Sequence, residues 1–242
     1  MSPAADENLA LSLRILTEEI AKMGGLVEKM VQASLSALIR HHIPRAKRVV
    51  ADDAQVDEAQ RRVEALAESI LAEHKLHDKA IREVVSALRI ASDLERIGDH
   101  AKNCAKRVIA LEGFSAPGQV AEGLEHMADM ALEQLNTVLD AYTSQDRYAA
   151  LEVRNRDDEV DAIYDSLFRQ LLAAMSQGPD TVAQGVHLLF FAKNFERIGD
   201  HVTNIAEAIH YVVTGEQPSE TRLRGDRTAL LTPPELINTP SA

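Results

Sequence analysis

The chain has little of what disulfides, sheets or a membrane span are built from. One cysteine, Cys104, occurs among 242 residues, which excludes an internal disulfide and fits a reducing, cytoplasmic compartment. Tryptophan is absent and aromatics make up only 4%, although hydrophobic residues reach 45%. Glycine is sparse and Ala, Leu and Glu abound, which is the composition of packed helices rather than sheets. No apolar run approaches the roughly 20 residues that span a bilayer. The opening Met-Ser-Pro-Ala-Ala-Asp-Glu has neither the basic nor the apolar region of a leader, so no membrane insertion is expected. Basic residues are the scarcer sign, 26 Lys and Arg against 38 Asp and Glu, for a net charge of -12. That balance argues against nucleic acid as a partner and favours cations or basic surfaces.

What is present is a repeat. Glu-Arg-Ile-Gly-Asp-His occurs at Glu95–His100 and again at Glu196–His201. At the same offset Ala91 matches Ala192, Asn103 matches Asn204 and Ala105 matches Ala206. Further upstream Met23, Asp53, Val56 and Asp57 match Met127, Asp157, Val160 and Asp161 at an offset three residues larger, a difference that a loop absorbs. A period near one hundred residues suits a duplicated small domain rather than a solenoid.

Apolar residues recurring at three and four residue intervals predict helices over residues 9–39, 44–73 and 79–111, then 120–143, 147–175 and 181–213. Turns fall at 74–78 and 177–180, and Gly113, Pro117 and Gly118 mark a linker. The fold class is therefore all-α, with two tandem three-helix bundles of antiparallel helices. Residues 1–115 form the first repeat and 116–215 the second. The Pro-rich stretch 216–242 reads as a disordered tail, with Leu230, Leu231, Leu236 and Ile237 as a short docking segment.

Glu95 and Asp99 stand four apart, about 6 Å along one helix face. They continue the row of Ile81, Val84 and Leu88, so an apolar row turns acidic midway; Glu196 and Asp200 do the same after Val182 and Leu189. A partly buried carboxylate is costly unless paired or coordinated. Folding the second helix onto the third at residues 75 and 76 sets Glu95 against Val56 and Asp99 against Asp52, with Asp53 and Asp57 flanking that level. The same construction sets Glu196 and Asp200 beside Asp157 and Asp161, so each repeat gathers four carboxylates. Such oxygen-rich clusters suit hard or borderline divalent ions and iron. Ordinary ion pairing with Arg96, Arg197 and Lys102 is the alternative. Gly98 and Gly199 signal either close helix approach or room for a ligand. His100 and His201 point about 100° away from the acidic face, toward another surface. Asn103 and Asn204, one turn beyond the aspartates, are candidates to support the metal residues. Cys104, matched by Ile205, reads as a buried apolar residue.

No phosphate-binding Gly-rich loop, His-Glu-x-x-His helix or Gly-x-Ser-x-Gly elbow occurs. Di-iron bundles use Glu-x-x-His, whereas His100 follows Glu95 by five. The duplicated Glu-Arg-Ile-Gly-Asp-His, the Asp-x-x-x-Asp pairs before it and Met23-Gly24 in the first helix together resemble the PhoU family of phosphate-uptake regulators, over residues 9–214. The resemblance implies a cytoplasmic, often dimeric protein, peripheral to the inner membrane through its partners, with multinuclear metal clusters on its acidic motifs. Here the metal residues would be Asp53, Asp57, Glu95 and Asp99 in one bundle and Asp157, Asp161, Glu196 and Asp200 in the other. The metal would be Fe, Zn, Mn or Mg. The implied partners are the ATPase of the Pst phosphate importer (PstB) and the sensor histidine kinase PhoR, through which phosphate-starvation genes are repressed. A carboxylate-bound metalloenzyme and a metal-free helical scaffold are the competing readings.

Overall fold

The computed structural model describes residues 3–112, 116 and 118–218. These contain helices and no strand, in the order α1 (Pro3–Ile39), α2 (Ile43–Glu73), α3 (Asp78–Ala110), α4 (Gly118–Ser144), α5 (Arg147–Asn155), α6 (Asp157–Met175) and α7 (Pro179–Thr214). Beyond 218 the tail, including the Leu230–Ile237 docking segment, lies outside the described residues. Helix ends follow local chemistry. Pro44 sits in the first turn of α2, where His42 Nδ1 accepts from the Arg45 amide at 3.0 Å. Asp146 accepts from the amides of Tyr148 and Ala149 to start α5. Gly215 closes α7 in the left-handed conformation with φ 80°.

The predicted helix over 147–175 is interrupted at Arg156, so the second bundle's middle helix is two segments, α5 and α6. A tertiary contact meets the break: buried Gln134 of α4 donates from Nε2 to the Arg156 carbonyl at 3.1 Å, which also accepts from the Glu159 amide at 3.1 Å. The guanidinium of Arg156 then pairs with Glu133 at 2.8 Å and Glu159 at 3.0 Å.

Helices α1, α2 and α3 pack together, as do α4, α5, α6 and α7, and the halves join through α3 against α7 and α1 against α4. One core runs through both, mostly aliphatic, with Phe191, Phe195 and Tyr164 buried in it. Met23 and its counterpart Met127 are fully buried in it. Beside Met23, Gly24 lets α1 approach α4: a Cβ there would stand 2.5 Å from Leu139 Cδ2. At Gly98 a Cβ would stand 3.3 Å from Val56 Cγ1, a tight contact that marks close approach of α2 and α3, whereas at Gly199 the nearest atom, Val160 Cγ1, would be at an ordinary 3.6 Å.

Along the α3–α7 seam the repeats meet reciprocally. The rings of His100 and His201 lie 5.5 Å apart. His100 Nδ1 is 3.0 Å from Asn194 Oδ1, and His201 Nδ1 is 2.8 Å from Asp93 Oδ1. Asp93 and Asn194 are themselves equivalent positions in the duplication. Burial pushes the His100 imidazolium down from its ordinary value, opposed by the Asn194 hydrogen bond. The surface to which the histidines point is therefore each other's repeat. Cys104 is fully buried on the same seam, its thiol pushed well up by burial.

Candidate metal centre

In the first repeat α2 presents Asp53 and Asp57 to the Glu95 and Asp99 face of α3. Burial pushes the Glu95 carboxyl up from its ordinary value, and Asp99 pushes it further, with Arg96 opposing and Asp57 and Asp53 adding to the rise. Glu95 is thus within electrostatic reach of Asp99, Asp57 and Asp53. A cation already stands among them: Lys102 Nζ donates to Asp53 Oδ2 at 2.7 Å and to Asp99 Oδ1 at 2.5 Å. Burial works to lower the Lys102 ammonium, but these hydrogen bonds outweigh it and hold the group above its ordinary value. Arg96 adds looser contacts to Glu95 at 3.5 Å and Asp99 at 3.7 Å. The ion-pairing alternative accordingly describes Lys102 and Arg96.

The second repeat is more deeply buried. Asp157, Asp161 and Glu196 are all buried, and Asp200 is half-buried. Thr203, the counterpart of Lys102, is fully buried and donates its hydroxyl to Asp157 Oδ1 at 2.9 Å. The break at Arg156 makes Asp157 and Asp158 the first residues of α6, where the helix dipole favours negative charge. Carboxylate oxygens of Asp157, Asp158 and Asp161 lie within 4.8 Å of one another. This all-carboxylate donor set fits a hard or borderline cation. Lys193 approaches from the other side, 2.9 Å from Glu196 Oε1 and 4.8 Å from the centre of the Tyr164 ring.

The hairpin register differs from the sequence construction. Val56 faces Gly98, three residues beyond Glu95, and Asp53 rather than Asp52 reaches the Asp99 level. Side chains lean toward the N-terminus of their own helix, which in an antiparallel pair moves both contacting positions to higher numbers. Asp52 instead accepts from Gln55 and lines a groove with Arg45 and Arg48. The apolar row below the acidic pairs also sits at the rim of the core, since Ile81 and Val182 are exposed while Val84 is fully buried. Asn204 donates to Asp93 at 3.2 Å, on the histidine seam, and Asn103 is half-buried on α3. Sequence reasoning missed Asp158, for which the run Asp157-Asp158-Glu159 was a signal.

Two fused helical bundles, each bringing paired carboxylates from facing helices to one level, define a class of duplicated acidic-hairpin proteins. The model for the PhoU domain matches residues 20–108 and 124–209, one match per repeat, and the chain belongs to the PhoU family. A relative from Rhizobium meliloti, named as a homologue of the phosphate-specific transport system accessory protein PhoU, is 48% identical over 219 residues, covering 90% of this chain and 92% of its own. Its counterpart in Caulobacter vibrioides is 41% identical over 211 residues, covering 87% and 92%. The crystal structure of PhoU from Pseudomonas aeruginosa superposes with a TM-score of 0.82 at 32% identity, over 86% of this chain and 99% of that one. The phosphate transport system regulatory protein PhoU from Streptococcus pneumoniae gives 0.81 at 26% identity, over 88% and 100%.

Proposed function

We propose that this protein is a non-enzymatic regulator of phosphate uptake that carries metal on its paired acidic hairpins and represses the phosphate-starvation response. The observation that carries this reading is that both repeats keep their carboxylate pairs on facing helices, in the family of relatives named for phosphate-specific transport. The partners are the ATPase of the phosphate importer and the sensor kinase PhoR, met by a homodimer at the cytoplasmic side of the membrane. Among the described residues no helix is long and apolar enough to cross a membrane, so contact with the importer is through protein. Asp53, Asp57, Glu95 and Asp99 would hold one cation site, and Asp157, Asp158, Asp161, Glu196 and Asp200 the other. A bound Fe, Zn, Mn or Mg ion supplies positive charge that joins the two helices of each hairpin. Occupancy thereby selects among hairpin geometries and so among partner surfaces.

The test is elemental analysis of natively purified protein beside the Asp99→Asn, Asp200→Asn double variant, with an alkaline phosphatase reporter in a strain lacking the native copy. Stoichiometric metal that falls in the variant, together with derepressed phosphatase, is expected. Full repression by a variant that retains no metal would refute the metal-dependent mechanism. Unchanged phosphatase in the deletion strain would refute the regulatory role.

A further inference from the structure

We propose that the groove between the end of α1, the start of α2 and the first half of α4 is a docking site for an acidic segment of a partner protein. The inference rests on the regulator reading insofar as the protein acts through contact with other proteins, and it does not depend on metal. The groove has a volume of about 720 Å3. Lys29 of α1, Arg40 just beyond its end, and Arg45 and Arg48 of α2 line it, all four exposed. Asp and Glu outnumber Lys and Arg by 38 to 26 in this chain, so carboxylate partners are plentiful. Among the described residues, nevertheless, none of these four cations forms a salt bridge, and Arg45 donates instead to the Ser36 hydroxyl. Like charges gathered in one concave surface raise a positive potential that an anionic ligand relieves.

The second repeat shows that the fold does not call for this charge. At the offset of 104 the four positions are Glu133, Ser144, Ala149 and Glu152, while buried Ala46 and Val49 keep buried counterparts in Ala150 and Val153. The packing is preserved and the surface charge is inverted. Asp52 is likewise replaced by Arg156, which bridges to Glu133 at 2.8 Å; among the described residues the equivalent Lys29 and Asp52 form no such bridge, and the groove between them stays open. The layout of charge selects the ligand. Lys29 and Arg40 stand eleven residues apart, about 16 Å along the helix direction, further than one phosphate or one carboxylate reaches, whereas carboxylates spaced along a peptide match that length. Glu125 and Asp129, one turn apart on α4, also line the groove. A nucleic acid or polyphosphate, negative on every side, would be repelled by them, but a peptide can turn acidic residues toward α1 and α2 and a basic or neutral edge toward α4. Half-buried Ile39 and Leu132 add apolar surface for it to cover.

The experiment places the photocrosslinker p-benzoylphenylalanine at Gln32, an exposed groove residue, and separately at Asn136, its exposed counterpart in the second repeat. The full-length protein is expressed in a strain lacking the native copy, cells are irradiated, and the peptide joined to each position is sequenced by mass spectrometry. A protein segment of net negative charge is expected at position 32 and not at 136. Arg48→Glu on α2 and Lys29→Glu on α1 should each cut that adduct about tenfold, with thermal melts of the purified variants to establish that they are folded. Lys47→Glu reverses an exposed charge outside the groove and should leave the adduct unchanged. No adduct at 32, an adduct to nucleic acid or to a segment without net negative charge, an adduct that persists in either folded groove variant, or equal loss in Lys47→Glu would overturn the inference. The alkaline phosphatase reporter in the same strains keeps the two readings apart: any of those outcomes with parental repression leaves the regulator reading intact, and phosphatase unchanged by deletion overturns that reading.

Discussion

Thr203→Val isolates one hydrogen bond in the second repeat. The two side chains are nearly isosteric, and the site is fully buried, so the change removes the donor to Asp157 and little else. A hydrogen bond to a charged group contributes about 1.5–3 kcal/mol, and for a chain of this size each kcal/mol moves the melting point by about 2–4 °C. The expected loss is therefore about 3–12 °C in chelator-treated protein, with a matching drop in the urea midpoint at unchanged slope. Thr203→Ser keeps the hydroxyl and deletes one methyl, which costs about 1 kcal/mol. A double-mutant cycle with Asp157→Asn assigns the difference to this pair. If Val is within about 0.5 kcal/mol of the parent, or if Ser costs more than Val, the hydrogen bond is not what holds Asp157.

Two further outcomes follow from the packing and the charges. The Glu95 carboxyl is pushed up in the fold, so the folded chain binds that proton more readily than the unfolded one. Its penalty is absent below the ordinary value of 4.5 and grows as pH rises through the folded value. Glu95→Gln should therefore stabilise the metal-free protein at neutral pH and lose its advantage on acidification; urea unfolding that shows the same gain at both extremes would contradict the charge cluster. Gly24→Ala places a Cβ 2.5 Å from Leu139 Cδ2, whereas Gly25→Ala meets nothing within 4 Å. The first should cost about 1–3 kcal/mol and the second gain up to about 1 kcal/mol, and calorimetric melts giving the two the same sign would refute the close approach of α1 and α4.

How legible each feature was in the sequence depends on the range of the interaction that fixes it. Helix limits at Ile39, Glu73 and Met175 follow from periodicity and turn residues within a few positions, and the family word with its duplication sufficed for the architecture. The encounter of Asp53 with Asp99 was nearly legible, because an antiparallel hairpin has one free register. The break at Arg156 was not, since the side chain that meets its carbonyl, Gln134, comes from another helix. Neither was the pairing of His100 with His201: the helical wheel showed that each faces away from the carboxylates, but the facing surface belongs to the other repeat. Lys102 was visible as a neighbour of the acidic cluster, and only coordinates show it joining two helices.

The histidine seam carries one more consequence. In a symmetric pair of single repeats, both imidazoles would have to face the same residue, two aspartates or two asparagines. Fusion into one chain lifts that constraint, so that His100 meets the amide of Asn194 while His201 meets the carboxylate of Asp93. The join between the halves is thereby polar in one direction, and the two acidic clusters that flank it need not respond alike to the same cation.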